Sequence, residues 1–87
     1  MEIVYTLEAK EDIDYWKSTG NAARLKKIRS LLESIAESPF EGIGKPEPLK
    51  YALTGAWSRR IDQAHRLVYK VSGNEVTILG ARGHYER

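Results

Sequence analysis

An α+β fold is predicted by three features of this chain. Apolar residues recur at helical spacing in two stretches of the first half. Strict alternation runs through the second half, and the alternating stretches are separated by short turn signals. Helices first and strands after, joined by tight turns, describe an αα-hairpin laid on an antiparallel meander. With 87 residues the chain forms one domain over 1–87 and has no room for a second core. A chain this short buries only about 60–65% of its unfolded surface, so it gains stability from a partner.

Glu2 to Thr6 alternates and is rich in β-formers, which predicts a first strand. Ala9, Ile13 and Trp16 then recur at helical spacing, and Glu8, Glu11, Asp12 and Asp14 favour the positive end of a helix dipole. Ser18-Thr19-Gly20-Asn21 interrupts that helix, and Asn21 or Thr19 can cap the next. Leu25, Ile28, Leu32 and Ile35 form one apolar stripe on the second helix, while Lys26, Lys27, Arg29 and Glu33 face elsewhere. Ser38-Pro39 ends it. Phe40 to Pro48 is a Gly/Pro-rich loop. Trp57 to Asp62 alternates with Trp57, Arg59 and Ile61 on one face and Ser58, Arg60 and Asp62 on the other. Arg66 to Val71 alternates likewise, Ser72-Gly73-Asn74 is a turn, and Glu75 to Arg82 is a last strand.

Composition narrows the function. The 41% hydrophobic and 30% charged content belongs to a globular protein rather than a disordered tail. There is no cysteine, which excludes disulfides and thiolate metal sites and makes a reducing cytoplasm the expected compartment. No apolar run approaches the about 20 residues of a membrane span, and Met1 to Tyr5 lack the regions of a signal peptide. The net charge of +2 is unevenly spread: six basic residues against seven acidic up to position 40, eight against five after it. Lys50, Arg59, Arg60, Arg66, Arg82 and Arg87 all lie in the second part, which suggests a basic face suited to a polyanion.

Three residues stand out chemically. Glu47 lies in Lys45-Pro46-Glu47-Pro48, where two prolines stiffen the backbone and keep the stretch out of the middle of a sheet. A carboxylate so held suits a general base, and equally a solvated loop residue. Arg66 opens a strand on its polar face, where a guanidinium can grip a phosphate or make an ion pair with Asp62 or Glu47. His84, near the chain end, is a residue type able to exchange a proton near neutrality. His65, in the turn Gln63-Ala64-His65, reads as structural. Two histidines without His-x-x-x-His spacing argue against a metal site, and no P-loop or dinucleotide fingerprint is present. No cofactor is expected. Glu47, Arg66 and His84 together supply a base, a phosphate binder and an acid, which suffices for metal-free cleavage of RNA.

The blocks PFEGIGKPEPLK from Pro39 to Lys50, LTGAWSRRI from Leu53 to Ile61 and HRLVY from His65 to Tyr69, with the terminal His84-Tyr85, resemble the YoeB toxins of the RelE superfamily. The resemblance covers essentially the whole chain, including Tyr15-Trp16. It implies a microbial-ribonuclease-like α+β fold, with two N-terminal helices packed on a twisted antiparallel sheet. It further implies a ribosome-dependent endoribonuclease that cuts mRNA in the ribosomal A site, meeting mRNA and rRNA there. A YefM/Phd-type antitoxin would neutralise it and, in complex with it, contact operator DNA to repress their operon; a homodimer stays open. By position the family's general base falls on Glu47, its phosphate-stabilising arginine on Arg66, its general acid on His84 and its substrate-orienting tyrosine on Tyr85. Lys50 and Arg60 match basic residues near that site, and with Arg59 they are the expected RNA contacts. Gly83 stands where an aromatic residue often precedes the histidine, and Glu86-Arg87 extend past the usual end. A ParE-like gyrase inhibitor and a non-catalytic RNA- or ribosome-binding module are the alternative readings.

Overall fold

The computed structural model describes residues 1–50 and 53–83. In chain order the elements are β1 (Glu2–Tyr5), α1 (Leu7–Ser18), α2 (Ala22–Glu37), β2 (Glu47–Pro48), β3 (Ala56–Arg60), β4 (Arg66–Ser72) and β5 (Glu75–Gly80). They form a five-stranded sheet of order β1-β5-β4-β3-β2 with both helices on one face. β2 to β5 pair antiparallel, as the meander requires, but β1 joins the far edge parallel to β5, with Glu2 opposite Glu75. The sheet is therefore mixed. β5 stops at Gly80, two residues before the expected end of that strand.

The helices begin where short polar side chains replace missing intrahelical acceptors. The Thr6 hydroxyl accepts from the Ala9 N–H at 3.1 Å and also donates to the Leu79 carbonyl, tying the start of α1 to β5. Asn21, not Thr19, caps α2 by accepting from the Arg24 N–H at 3.1 Å. α2 ends at Glu37, before Ser38-Pro39, as expected. Its buried stripe is Ile28, Leu31 and Ile35, with Leu25 and Leu32 only half-buried, so the stripe is centred on a residue that the spacing rule passed over. These side chains meet Leu67, Tyr69, Val76 and Ile78 from the sheet and Ala9 and Trp16 from α1. Full burial of each large aliphatic side chain contributes about 1.5–3 kcal/mol.

The alternation expected in β3 is present, and it carries Arg59 into this core. Arg59 has no exposed surface. Nε donates to the Tyr69 hydroxyl at 3.1 Å. One terminal nitrogen reaches Ser34 Oγ at 2.6 Å and the Ile43 carbonyl at 3.2 Å, and the other reaches the carbonyls of Ser38 at 2.7 Å and Glu41 at 3.0 Å. All five donors of the guanidinium are thus used. Tyr69 in turn donates to the Pro39 carbonyl at 2.7 Å. Burial pushes the Tyr69 phenol above its ordinary pKa despite the opposing hydrogen bond and charge of Arg59, so the donating proton is kept. The expectation that Arg59 contacts RNA is therefore corrected: its charge binds the 38–43 loop to the sheet.

The same loop needs Gly44. Its φ is +83°, and a Cβ there would stand 2.6 Å from the Leu31 side chain and 3.1 Å from Arg59. Replacing Arg59 with alanine leaves the Ser34 and Tyr69 hydroxyls and three loop carbonyls short of a donor. Arg59→Ala is expected to lose at least about 3 kcal/mol of stability, with Arg59→Lys in between because an ammonium has three donors. Urea denaturation of both variants checks this ordering.

Candidate functional site

The sheet face away from the helices carries the candidate chemistry. β2 is a two-residue strand at the edge, where missing proline N–H groups are tolerated, and its register sets Glu47 opposite Ser58. Ser58 in turn lies opposite Val68, and the next rung sets Arg60 opposite Arg66. Residues opposite one another share a face, and so do residues two apart, so Glu47, Arg60 and Arg66 project from the same side. The structure brings two of them into contact: one Arg66 terminal nitrogen lies 3.3 Å from a Glu47 carboxylate oxygen. The ion pair that sequence alone allowed for Arg66 is therefore made to Glu47. Asp62 pairs instead with Arg24 on α2.

The two partners sit differently. Glu47 is largely exposed, whereas the Arg66 side chain is only 13% exposed. Arg66 Nε is buried with no hydrogen-bond partner among the described residues, and so is the Ser58 hydroxyl in the neighbouring rung. Arg59 is saturated by the protein; among the described residues, Arg66 is not. Arg60 is exposed, and its backbone N–H is held by the Gly44 carbonyl at 2.6 Å. Two cations on one rung destabilise a sheet slightly and raise the local positive potential. This face can hold an anion beside a carboxylate.

Other expected site residues fall elsewhere. Lys50 is exposed beyond β2, on the chain leading to β3, and takes no part in the Glu47–Arg66 pair. Arg82 leaves the basic face altogether: its guanidinium lies 3.9 Å from the centre of the Tyr15 ring on α1. His84, Tyr85 and the Glu86-Arg87 extension lie outside the described residues. Among the described residues, no three His, Cys, Asp or Glu side chains are grouped so as to hold a metal ion.

His65 has the structural role that its position in a turn suggested. The Asp62 carboxylate accepts from the backbone N–H groups of Ala64 and His65, both at 2.8 Å, and this turn delivers Arg66 to the start of β4. Burial raises the Asp62 pKa, but hydrogen bonds from Ala64, Arg24 and His65 and the Arg24 charge outweigh it. The carboxyl ends below its ordinary value.

A family model for the YoeB-like toxin of bacterial type II toxin–antitoxin systems matches residues 5–85. Toxin YoeB of Streptomyces coelicolor is 47% identical over 85 residues, covering 98% of this chain and all of the relative. A solved structure of a YoeB/ParE toxin from Agrobacterium tumefaciens superposes with a TM-score of 0.93 at 42% identity, covering 98% of this chain and 100% of the other. The Staphylococcus aureus YoeB has been solved both as a dimer and in complex with YefM. Those structures superpose with TM-scores of 0.88 and 0.87 at 44% and 45% identity, each covering 98% of both chains.

The lowered pKa of Asp62 has a signed consequence. A depressed carboxyl pKa stabilises the fold above the unfolded value, about 3.9, and that stability is lost as pH falls through the lower folded value. Wild-type stability is expected to fall as pH drops below about 4, and Asp62→Asn to flatten that part of the profile. Urea midpoints between neutral and acid pH measure the difference.

Proposed function

The chain belongs to the YoeB-like toxins of bacterial type II toxin–antitoxin systems, and from that premise we propose that it is an endoribonuclease that cuts mRNA in the ribosomal A site. The observation that carries the reading is the contact between Glu47 and Arg66, set by sheet register beside Arg60 on the face away from the helices.

In this mechanism RNA phosphate takes the Arg66 guanidinium, whose Nε has no partner among the described residues. Glu47, released from the ion pair, accepts the proton of the ribose 2′-hydroxyl. The 2′-oxygen attacks the adjacent phosphorus, and Arg66 stabilises the charge that grows on the phosphorane oxygens. His84 protonates the departing 5′-oxygen, leaving a 2′,3′-cyclic phosphate on one product and a 5′-hydroxyl on the other. Tyr85 orients the substrate, and Arg60 and Lys50 attract the RNA backbone. No step requires a metal ion or cofactor.

A ribosomal substrate places this action in the cytoplasm. The S. aureus complex with YefM supports a YefM/Phd-type antitoxin as the partner. In this reading the antitoxin covers Arg60 and Arg66, and the complex contacts operator DNA. The S. aureus dimer supports a homodimer.

Glu47→Gln is expected to change stability by less than about 1 kcal/mol, because the Glu47 carboxylate is largely exposed and an amide oxygen can still accept from Arg66. The same variant is expected to lose about 10²–10⁴-fold in single-turnover cleavage of mRNA on programmed ribosomes. Wild-type cleavage by the variant would reduce Glu47 to a loop residue. His84→Ala is expected to slow cleavage of a normal substrate strongly and that of a 5′-thio substrate much less, since sulfur leaves without a proton. Equal losses on both substrates would remove His84 from the acid role.

A further inference from the structure

The segment that follows β5 is gripped by side chains from α1 and from the turn before β4, and by the backbone of β4. The Ala81 N–H donates to the Asp12 carboxylate at 2.9 Å, and the Trp16 indole N–H donates to the Ala81 carbonyl at 2.9 Å. Two residues on, the Gly83 N–H donates to His65 Nδ1 at 2.9 Å, and the Gly83 carbonyl accepts from the Arg66 backbone N–H at 3.0 Å. Both backbone polar groups of Ala81 and of Gly83 are therefore engaged.

The His65 ring is itself fixed. It stands edge-on to Trp16, with centroids 4.7 Å apart and planes at 80°. The His65 N–H is held by Asp62, and its carbonyl accepts from the N–H groups of Ile61 and Asp62 at 2.9 and 3.2 Å. A ring nitrogen that accepts an N–H must keep its lone pair, so the geometry requires the tautomer with the proton on Nε2. Gly83 is accordingly not a loose link. Its φ of +90° is a conformation that favours glycine, and its amide and carbonyl are anchored on consecutive residues, His65 and Arg66.

We infer that His65 is a positioning residue for the site: its Nδ1 lone pair, braced on Trp16, fixes the backbone at Gly83 beside Arg66 and so sets the point from which the chain continues to His84 and Tyr85. This rests on the roles proposed above for those two residues. It accounts for a histidine one position before the phosphate-binding arginine that has no part in the chemistry. Misplacing a reacting group by about 1 Å can cost about 10²-fold in rate without weakening substrate binding.

Two substitutions separate the ring from its lone pair. His65→Phe keeps an aromatic ring against Trp16 and removes the acceptor. His65→Asn loses the ring and places an amide oxygen near the position of Nδ1. Single-turnover cleavage on programmed ribosomes is expected to fall about 10–100-fold in the phenylalanine variant, with the half-saturating ribosome concentration unchanged. The asparagine variant should recover most of that loss. Nitrogen NMR shifts of His65 should report an unprotonated Nδ1 in the wild type. The Gly83 amide should exchange slowly in the wild type and in His65→Asn, and fast in His65→Phe.

A wild-type cleavage rate in His65→Phe, or a proton on Nδ1, overturns the inference. A protected Gly83 amide in a wild type that cuts no ribosome-bound mRNA would overturn the proposed enzyme activity while leaving the anchor itself in place. An unprotected Gly83 amide in an active wild type would do the reverse.

Discussion

Arg59 is a full positive charge in the middle of a small core, and much of the molecule is arranged to make that tolerable. Burying an ion costs several kcal/mol even after relaxation. No carboxylate among the described residues pairs with it. The compensation comes from five neutral acceptors, three of them carbonyls of the loop after α2. A loop that must present those carbonyls inward has little freedom left. It runs back across β3, passes its Gly44 carbonyl to the Arg60 N–H, and enters the sheet edge at Glu47. The carboxylate on the far side of the sheet is thus placed by a charge on the near side.

Consecutive arginines serve opposite ends because a strand alternates. Arg59 turns inward and is saturated; Arg60 turns outward and shares a rung with Arg66. The outward face breaks the rules that the inward face obeys. It sets like charges opposite each other and, among the described residues, leaves the Arg66 Nε and the Ser58 hydroxyl unpartnered. Such local inconsistency, set on a well-satisfied scaffold, is where binding and catalysis are usually found.

Much of this was legible from residue order. The helical stripes, the proline stop after α2 and the alternation in β3 and β4 are local signals, and they placed those elements within a residue or two. The parallel docking of β1 on β5 was not legible, because nothing in Glu2–Tyr5 records which distant strand it will meet. Leu31 was passed over because a stripe of threes and fours through Leu32 fits the pattern equally well; only the sheet decides which face is innermost. Arg59 was the informative miss. Alternation set it between Trp57 and Ile61, on the apolar face, which was the signal for burial. A count of basic residues nevertheless assigned it to RNA. For the site, the chain order suggested Glu47 and Arg66 as chemistry, but their contact depends on a two-residue strand too short and too proline-rich to be recognised as one.

The place of β1 in the sheet also bears on how the molecule comes to exist during its own synthesis. β1, made before the other described strands, has its hydrogen-bonding partner in β5, made after them, and Thr6 reaches Leu79, 73 residues further along. Until β5 emerges, Glu2–Tyr5 has no ladder to join, and the inner face of α1 lacks Val76 and Ile78. Closing so long a loop is slow compared with local pairing, so it comes late. β5 is an interior strand of the finished sheet, not an edge. A chain interrupted before it would therefore keep two helices and a bare β4 edge, and would lack both the seat for β1 and the anchored segment that follows β5. Assembly of this sheet therefore waits on the synthesis of β5, whatever has folded before it.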